Sequence, residues 1–151
     1  MQQNVIANLE HYLENLPSPS YELQERIWQC YTLAAMHGQY RHFTPSRDAQ
    51  PLLDRLATIL SELNQTAHKP NVRALIWPAY VLGRYSSRSS ASLLVSDVLR
   101  KASTPDHLRR VLYHGLTPYD LMQTVWKLQA TETEEDVDII LSQQFVDYGL
   151  W

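Results

Sequence analysis

The sequence predicts an all-α protein, and three observations support that fold class. Apolar residues recur at helical spacing along nearly the whole chain. Only four glycines occur among 151 residues, too few for the positive-φ turns that a hairpin-rich β fold needs. Thr-Pro steps at 104–105 and 117–118 have the form of helix starts, with threonine as the N-cap and proline as the first helical residue. A chain of this length is expected to form a single all-helical domain, 1–151.

Eight helices and no strand are predicted. The first ends at the PSPS segment, 17–20, because proline removes a backbone donor, and residues 1–16 could cap the domain. Gly38 is a predicted stop signal, so 37–48 is expected to be a long loop. Pro78 is expected to kink its helix, and Gly83 suits that helix's C-terminal end. The predicted helices are 2–15, 20–37, 49–64, 72–85, 90–102, 105–114, 118–130 and 133–145, the last starting at a Thr133 capping box.

A weak internal repeat suggests how these helices stack. IWQCY at 27–31 and IWPAY at 76–80 match at three of five positions, and the tryptophans at 28, 77 and 126 are 49 residues apart. VRALIWPAYVLGRY followed by SASLLVSDVLRKA resembles a HEAT-family repeat, in which antiparallel helical hairpins stack on one another. The resemblance covers at most residues 20–145. It implies a scaffold that binds other macromolecules; an irregular helical bundle is the alternative.

Four conspicuous side chains are predicted to serve the core. Trp28, Trp77 and Trp126 are expected to be buried, since burying an aromatic ring stabilises a fold by a few kcal/mol. Cys30 is the only cysteine, so neither an intramolecular disulfide nor a cysteine zinc cluster is expected. It lies on the apolar stripe of its helix, where a thiol behaves as a small hydrophobic group and not as a nucleophile.

Charge is segregated along the chain although the net charge is only −3. Residues 1–66 carry a net charge of −3, residues 67–114 a net charge of +6 and residues 115–151 a net charge of −6. The basic middle could hold an acidic protein or phosphates. Alternatively, it faces the acidic C-terminal helix of the same chain, or of a second copy in a homodimer. The acidic residues at 132–136 are partly explained by the dipole of the helix that they begin.

The favoured function is a non-enzymatic protein-binding module, for example an adaptor, an inhibitor or a bacterial toxin-neutralising immunity protein. A charged face would steer the partner and apolar anchors would hold it. The C-terminal segment is apolar to its last residue, so it either packs on the core or docks in a partner. The predicted partner-binding residues are Arg84, Arg88, Arg100, Lys101, Arg109, Arg110, Tyr148 and Trp151.

Two other functions are alternatives. The first is nucleic-acid binding through 67–114, disfavoured by the overall acidity and the lack of aromatics interleaved with Arg and Lys. The second is a metal-dependent hydrolase built on His37, His42 and Asp48, disfavoured because the histidine spacing is not that of a zinc-binding helix. No glycine-rich phosphate loop, GxSxG elbow or EF-hand pattern occurs, so neither a cofactor, a metal nor a catalytic residue is predicted. The N-terminus lacks the features of a secretory signal and no apolar run is long enough to cross a membrane, so a cytoplasmic protein is expected.

Overall fold

The structure is a computed structural model that describes residues 2–14, 23–65, 72–103 and 116–144. These ranges contain α-helices, one short 3₁₀ helix and no β-strand, so the predicted all-α class is confirmed. The α-helices are α1 (Gln2–Glu14), α2 (Leu23–Phe43), α3 (Gln50–Gln65), α4 (Ile76–Tyr85), α5 (Arg88–Ala102), α6 (Pro118–Thr131) and α7 (Glu134–Gln144). The predicted helix at 105–114, with its Thr104-Pro105 start, lies outside the described residues. No described helix has both the length and the apolar character that a membrane crossing requires.

Helix α4 is the centre of the packing. It contacts α2, α3, α5 and α6, and its seven successive residues from Pro78 to Arg84 are all buried. A helix that is buried on every side is normally apolar all round, which α4 is except at Arg84. The guanidinium of Arg84 therefore needs partners from elsewhere in the chain.

Two side chains of α6 donate hydrogen bonds to backbone carbonyls at the end of α4. The last carbonyls of a helix have no partner within the helix. Here the Trp126 indole N–H donates to the Gly83 carbonyl at 2.9 Å, and the Gln129 amide donates to the Arg84 carbonyl at 2.6 Å. The buried end of α4 is thereby fixed against α6.

The predicted helix starts at Thr117 and Thr133 are confirmed. The Thr117 hydroxyl accepts from the Asp120 amide, and the Asp120 carboxylate accepts from the Thr117 amide at 3.1 Å, which completes a capping box. The Thr133 hydroxyl likewise accepts from the Asp136 amide at 3.2 Å. The second cap places α7 immediately after α6, with its acidic first turn near α4.

The end of α2 differs from the prediction. The helix runs through Gly38 to Phe43, so the segment predicted as a loop at 37–48 is helical for its first half. Burial of Tyr40 stabilises this extension and outweighs the helix propensity lost at one glycine, which is about 1 kcal/mol.

Helix α4 also starts differently from the prediction. Residues Val72–Leu75 form a 3₁₀ helix and α4 begins at Ile76. Pro78 thus lies in the first turn of α4, where a missing N–H is tolerated. Gly83 lies inside the helix and not beyond its end, because the C-cap residue is Ser86.

The three evenly spaced tryptophans do not share one environment. Trp126 is buried and Trp77 is half-buried against Tyr31, with ring centroids 5.3 Å apart. Trp28, however, is 59% exposed, so its predicted core position is wrong. The predictions for α3 and for Cys30 are confirmed, since the apolar stripe of α3 and the thiol are buried. Burial raises the pKa of Cys30 to about 12, so the thiol is protonated at neutral pH.

Alanine substitution should have opposite effects at Gly83 and Gly38, the two glycines that lie in the helices described. A Cβ at Gly83 would lie 2.7 Å from the Met122 sulfur and 2.9 Å from a Val95 methyl carbon, whereas a Cβ at Gly38 would contact nothing within 4 Å. Gly83→Ala should lower the free energy of unfolding by about 1–2 kcal/mol through overpacking. Gly38→Ala should raise it by about 1 kcal/mol through helix propensity. Urea denaturation of both variants tests this, and a stabilised Gly83→Ala would contradict the close packing of α4.

Candidate functional site

An ion cluster joins α7 to α4 and α2. Arg84 donates to the Glu134 carboxylate at 2.9 Å and to the Asp138 carboxylate at 2.8 Å. Arg41, near the end of α2, donates to the other oxygen of Asp138 at 2.7 Å. Glu134 and Asp138 are four residues apart on α7, so both carboxylates lie on the same helix face. Two cations and two anions leave this cluster with no net charge.

The cluster is buried at one end and open at the other. Arg84 is 2% exposed, whereas the side chains of Glu134 and Asp138 are about half exposed and that of Arg41 is partly exposed. Burial alone would lower the pKa of Arg84, but the two carboxylates outweigh that effect and hold the pKa above its ordinary value. The buried guanidinium therefore stays charged, and its charge is balanced by groups that remain in contact with water.

The ring of Tyr85 lies beside both basic side chains of the cluster. The Arg41 and Arg84 guanidinium carbons lie 4.5 Å and 5.0 Å from its centroid, within the range of cation–π attraction. The His37 imidazole also packs on this ring, with the centroids 4.6 Å apart. Burial raises the pKa of Tyr85, and of Tyr80 beside it, so both are neutral phenols at physiological pH.

An open cleft of about 450 Å³ lies beside the ion cluster, between α2, α4 and α7. Its walls combine the charged groups of Arg41, Arg84 and Asp138 with apolar surface. That surface includes Ile139, which is 47% exposed. The remaining lining residues are His42, Tyr80, Tyr85, Leu141 and Ser142.

The structure does not bring together the histidine site considered from the sequence. His37 is buried against Tyr85, the ring of His42 lies near that of Phe43, and Asp48 accepts a hydrogen bond from the Gln50 amide. Within the described ranges, no three His, Cys, Asp or Glu side chains are grouped so that they could hold a metal ion. What the cleft offers chemically is apolar contact, hydrogen bonds and fixed charges.

Three of the eight predicted partner-binding residues have described side chains. Arg84 lies in the ion cluster. Arg100 donates to the Tyr119 hydroxyl at 2.8 Å, with its guanidinium carbon 4.8 Å from that ring's centroid. Lys101 pairs with Asp97 at 3.0 Å. Arg109, Arg110, Tyr148 and Trp151 lie outside the described residues, as does the side chain of Arg88.

Sequence reasoning did not single out Arg41, Tyr85, Asp138 or Ile139. The one available signal was the charge segregation, which raised the alternative that the basic segment faces the acidic C-terminal helix of the same chain. Arg84 does so through Glu134 and Asp138. Nothing in the local sequence around Arg84 distinguishes it from a surface arginine.

Comparison of the chain with protein-family models, with curated proteins and with solved structures found no match.

Proposed function

We propose that this protein is a non-enzymatic module that binds another protein in the cleft between α2, α4 and α7. The observation that carries the proposal is the half-exposed Ile139 beside a cleft whose buried cation, Arg84, is already paired. A partner that inserts an apolar side chain there gains hydrophobic contact without leaving Arg84 unpaired. Adaptor, inhibitor and toxin-neutralising immunity protein are roles within this class.

The charges around the cleft indicate the kind of partner. Glu132, Glu135 and Asp136 are exposed in and just before the first turn of α7, in addition to the paired Glu134 and Asp138. This part of the surface is therefore acidic, and a partner with basic side chains would be attracted to it. The sequence also predicted an acidic partner for the basic segment, which includes Arg100 and Lys101. That prediction concerns a different surface from the cleft and stays a prediction. Nucleic-acid binding ranks second, because Arg84, Arg100 and Lys101 are each engaged by side chains of the chain itself.

We also propose how the helix pairs are arranged and where in the cell the protein acts. Among the helix pairs, α2 with α3 and α4 with α5 have the most extensive contacts, as sequential helical hairpins would. We propose that these pairs stack in a short HEAT-like array that presents the cleft, and that the protein acts in the cytoplasm.

Site-specific photocrosslinking tests the cleft. A photoreactive residue replaces Ile139 in one variant and Leu93 in the other. Leu93 is the matched control, since it is also an apolar helical residue and is 87% exposed on α5. In cells of the native source, we expect one discrete protein adduct from position 139 and none of the same mass from position 93. In a fresh extract, raising the salt concentration before irradiation should lower the yield of the adduct. Salt screens exposed charges and so weakens the association that precedes crosslinking.

Four outcomes would count against the proposal. The same adducts from both positions would mean non-specific contact, and no adduct from position 139 would mean that the cleft is not a binding surface. An adduct with nucleic acid would support the alternative instead. An adduct of two copies of this chain would replace the foreign partner with the homodimer considered from the charge zones.

A further inference from the structure

A second pocket, of about 240 Å³, shares Arg41 and Tyr85 with the cleft but is otherwise formed by different residues. His37, Tyr40 and Arg47 line it, together with a proline and an alanine. Among the residues that the structure describes, two of the lining side chains are guanidinium groups and none is acidic. Asp138 and Glu10 each pair with one of these groups from outside the lining, so the pocket offers an anion the guanidinium donors that those pairs leave unused.

Two buried polar atoms have no hydrogen-bond partner in the described part of the chain: Nδ1 of His37, which lines the pocket, and Oγ1 of Thr44, which directly precedes the lining residue Pro45. His37 is 6% exposed. Together with Tyr40 and Arg41, these residues occupy positions i, i+3, i+4 and i+7, which share one helix face. Thr44 stays in helical register, since its amide donates to the Tyr40 carbonyl at 3.0 Å. Leaving a buried polar atom unpaired costs roughly 1–3 kcal/mol, so a polar ligand on this face would be stabilised by hydrogen bonds to these two atoms.

The two guanidinium groups are held in place by neighbouring residues. The Arg41 and Arg47 guanidinium carbons each lie 4.5 Å from a ring centroid, of Tyr85 and Tyr40 respectively. A terminal nitrogen of Arg41 bonds Asp138 at 2.7 Å, and one of Arg47 bonds Glu10 at 2.5 Å. A guanidinium has five N–H donors, so these contacts leave donors on both groups for an oxyanion.

We propose that this pocket binds the oxyanion group of a small molecule, either a phosphate or a carboxylate. Arg41 and Arg47 donate to the anion, and the Thr44 hydroxyl and a His37 N–H complete its hydrogen bonds. The pocket is smaller than the roughly 300–1,000 Å³ of most ligand sites, so the ligand is a small anion or the charged end of a larger molecule. The site does not depend on protein binding in the cleft.

The protonation state of His37 is compatible with the proposed anion site. Burial first, and Arg41 second, lower the pKa of His37 to about 4, so its ring is neutral at pH 7. A neutral imidazole carries one N–H, which either ring nitrogen can hold. Binding of an oxyanion at Nδ1 should select the tautomer protonated there, which nitrogen NMR reports directly.

The test titrates the full chain with inorganic phosphate and, separately, with acetate, at constant ionic strength maintained with sodium chloride. Calorimetry gives the affinity, and ¹⁵N NMR gives the His37 tautomer. We expect saturable binding of at least one anion with a shift towards Nδ1–H, and the arm that saturates identifies the ligand class. Arg47→Gln and Thr44→Val should each weaken binding by roughly tenfold, since each removes a hydrogen bond to a charged group.

Arg55→Gln is the matched control, because it removes one positive charge from an exposed position on α3 and should leave the affinity unchanged. Thr44→Val removes an unpartnered hydroxyl without a charge, so it is informative even if Arg47→Gln does not fold. No saturation by either anion would overturn the proposal, as would equal weakening by Arg55→Gln and Thr44→Val. None of these variants alters Ile139, so failure here is distinguishable from failure of the cleft.

Discussion

Replacing Glu134 and Asp138 together, as Glu134→Gln/Asp138→Asn, should lower the free energy of unfolding by about 3 kcal/mol, because a buried charge is then left uncompensated. Arg84 is 2% exposed and these two carboxylates receive its hydrogen bonds. Arg84→Met should cost less, about 1 kcal/mol, because it removes the buried charge and leaves two carboxylates that water can hydrate. Urea denaturation at pH 7 measures both variants.

Two further variants test whether the uncompensated charge of Arg84 causes this loss of stability. The matched control Glu132→Gln/Glu135→Gln removes two exposed charges at the start of α7 without touching Arg84, and should cost less than about 1 kcal/mol. The triple variant Arg84→Met/Glu134→Gln/Asp138→Asn should recover most of the stability that the double variant loses. Equal losses in Arg84→Met and in the double variant would contradict the view that an uncompensated Arg84 is the source of the loss.

The protein should lose about 2 kcal/mol of stability between pH 7 and pH 5 through His37 alone, by proton linkage. In the folded chain, burial and the nearby Arg41 lower the pKa of His37 from 6.5 to about 4. Between these values the unfolded state binds a proton that the folded state does not. Stability therefore falls as the pH falls from about 6.5 towards 4.

The measurement is urea denaturation at pH 7 and pH 5 in buffers free of phosphate and carboxylate, which would occupy the proposed anion site. His37→Phe preserves the ring contact with Tyr85 and removes the titrating group, so its loss between the two pH values should be smaller by about 2 kcal/mol. Every other titrating group is common to the two proteins. The same loss in both would mean that His37 does not titrate as its burial requires.

The sequence correctly predicted the features that depend on interactions between residues close together in the chain. The starts of α6 and α7 follow from Thr117 and Thr133, whose caps involve residues three positions away. The apolar stripe of α3 follows from helical periodicity. By contrast, Gly38 indicated a helix end but lies within α2, because burial of Tyr40 outweighs one unfavourable helix propensity.

The candidate site was harder to predict because its contacts are long-range. Arg84 lies 50 residues from Glu134 and 54 from Asp138, and a sequence pattern gives no distance between them. Charge segregation raised the alternative that the basic and acidic segments face each other, but it did not indicate that one arginine would be buried. Trp28 is the opposite case to Arg84. Its hydrophobicity predicted burial, but tertiary packing leaves the side chain exposed.

We propose above all that the cleft between α2, α4 and α7 is the partner-binding surface. It is tested most directly by the dissociation constant of the partner crosslinked at position 139, measured with Ile139→Asp and with Leu93→Asp. We predict that Ile139→Asp weakens binding by roughly 30-fold, as loss of an interface anchor does, and that Leu93→Asp changes it less than about twofold. Equal effects of the two substitutions, or an unchanged affinity for Ile139→Asp, would contradict the claim.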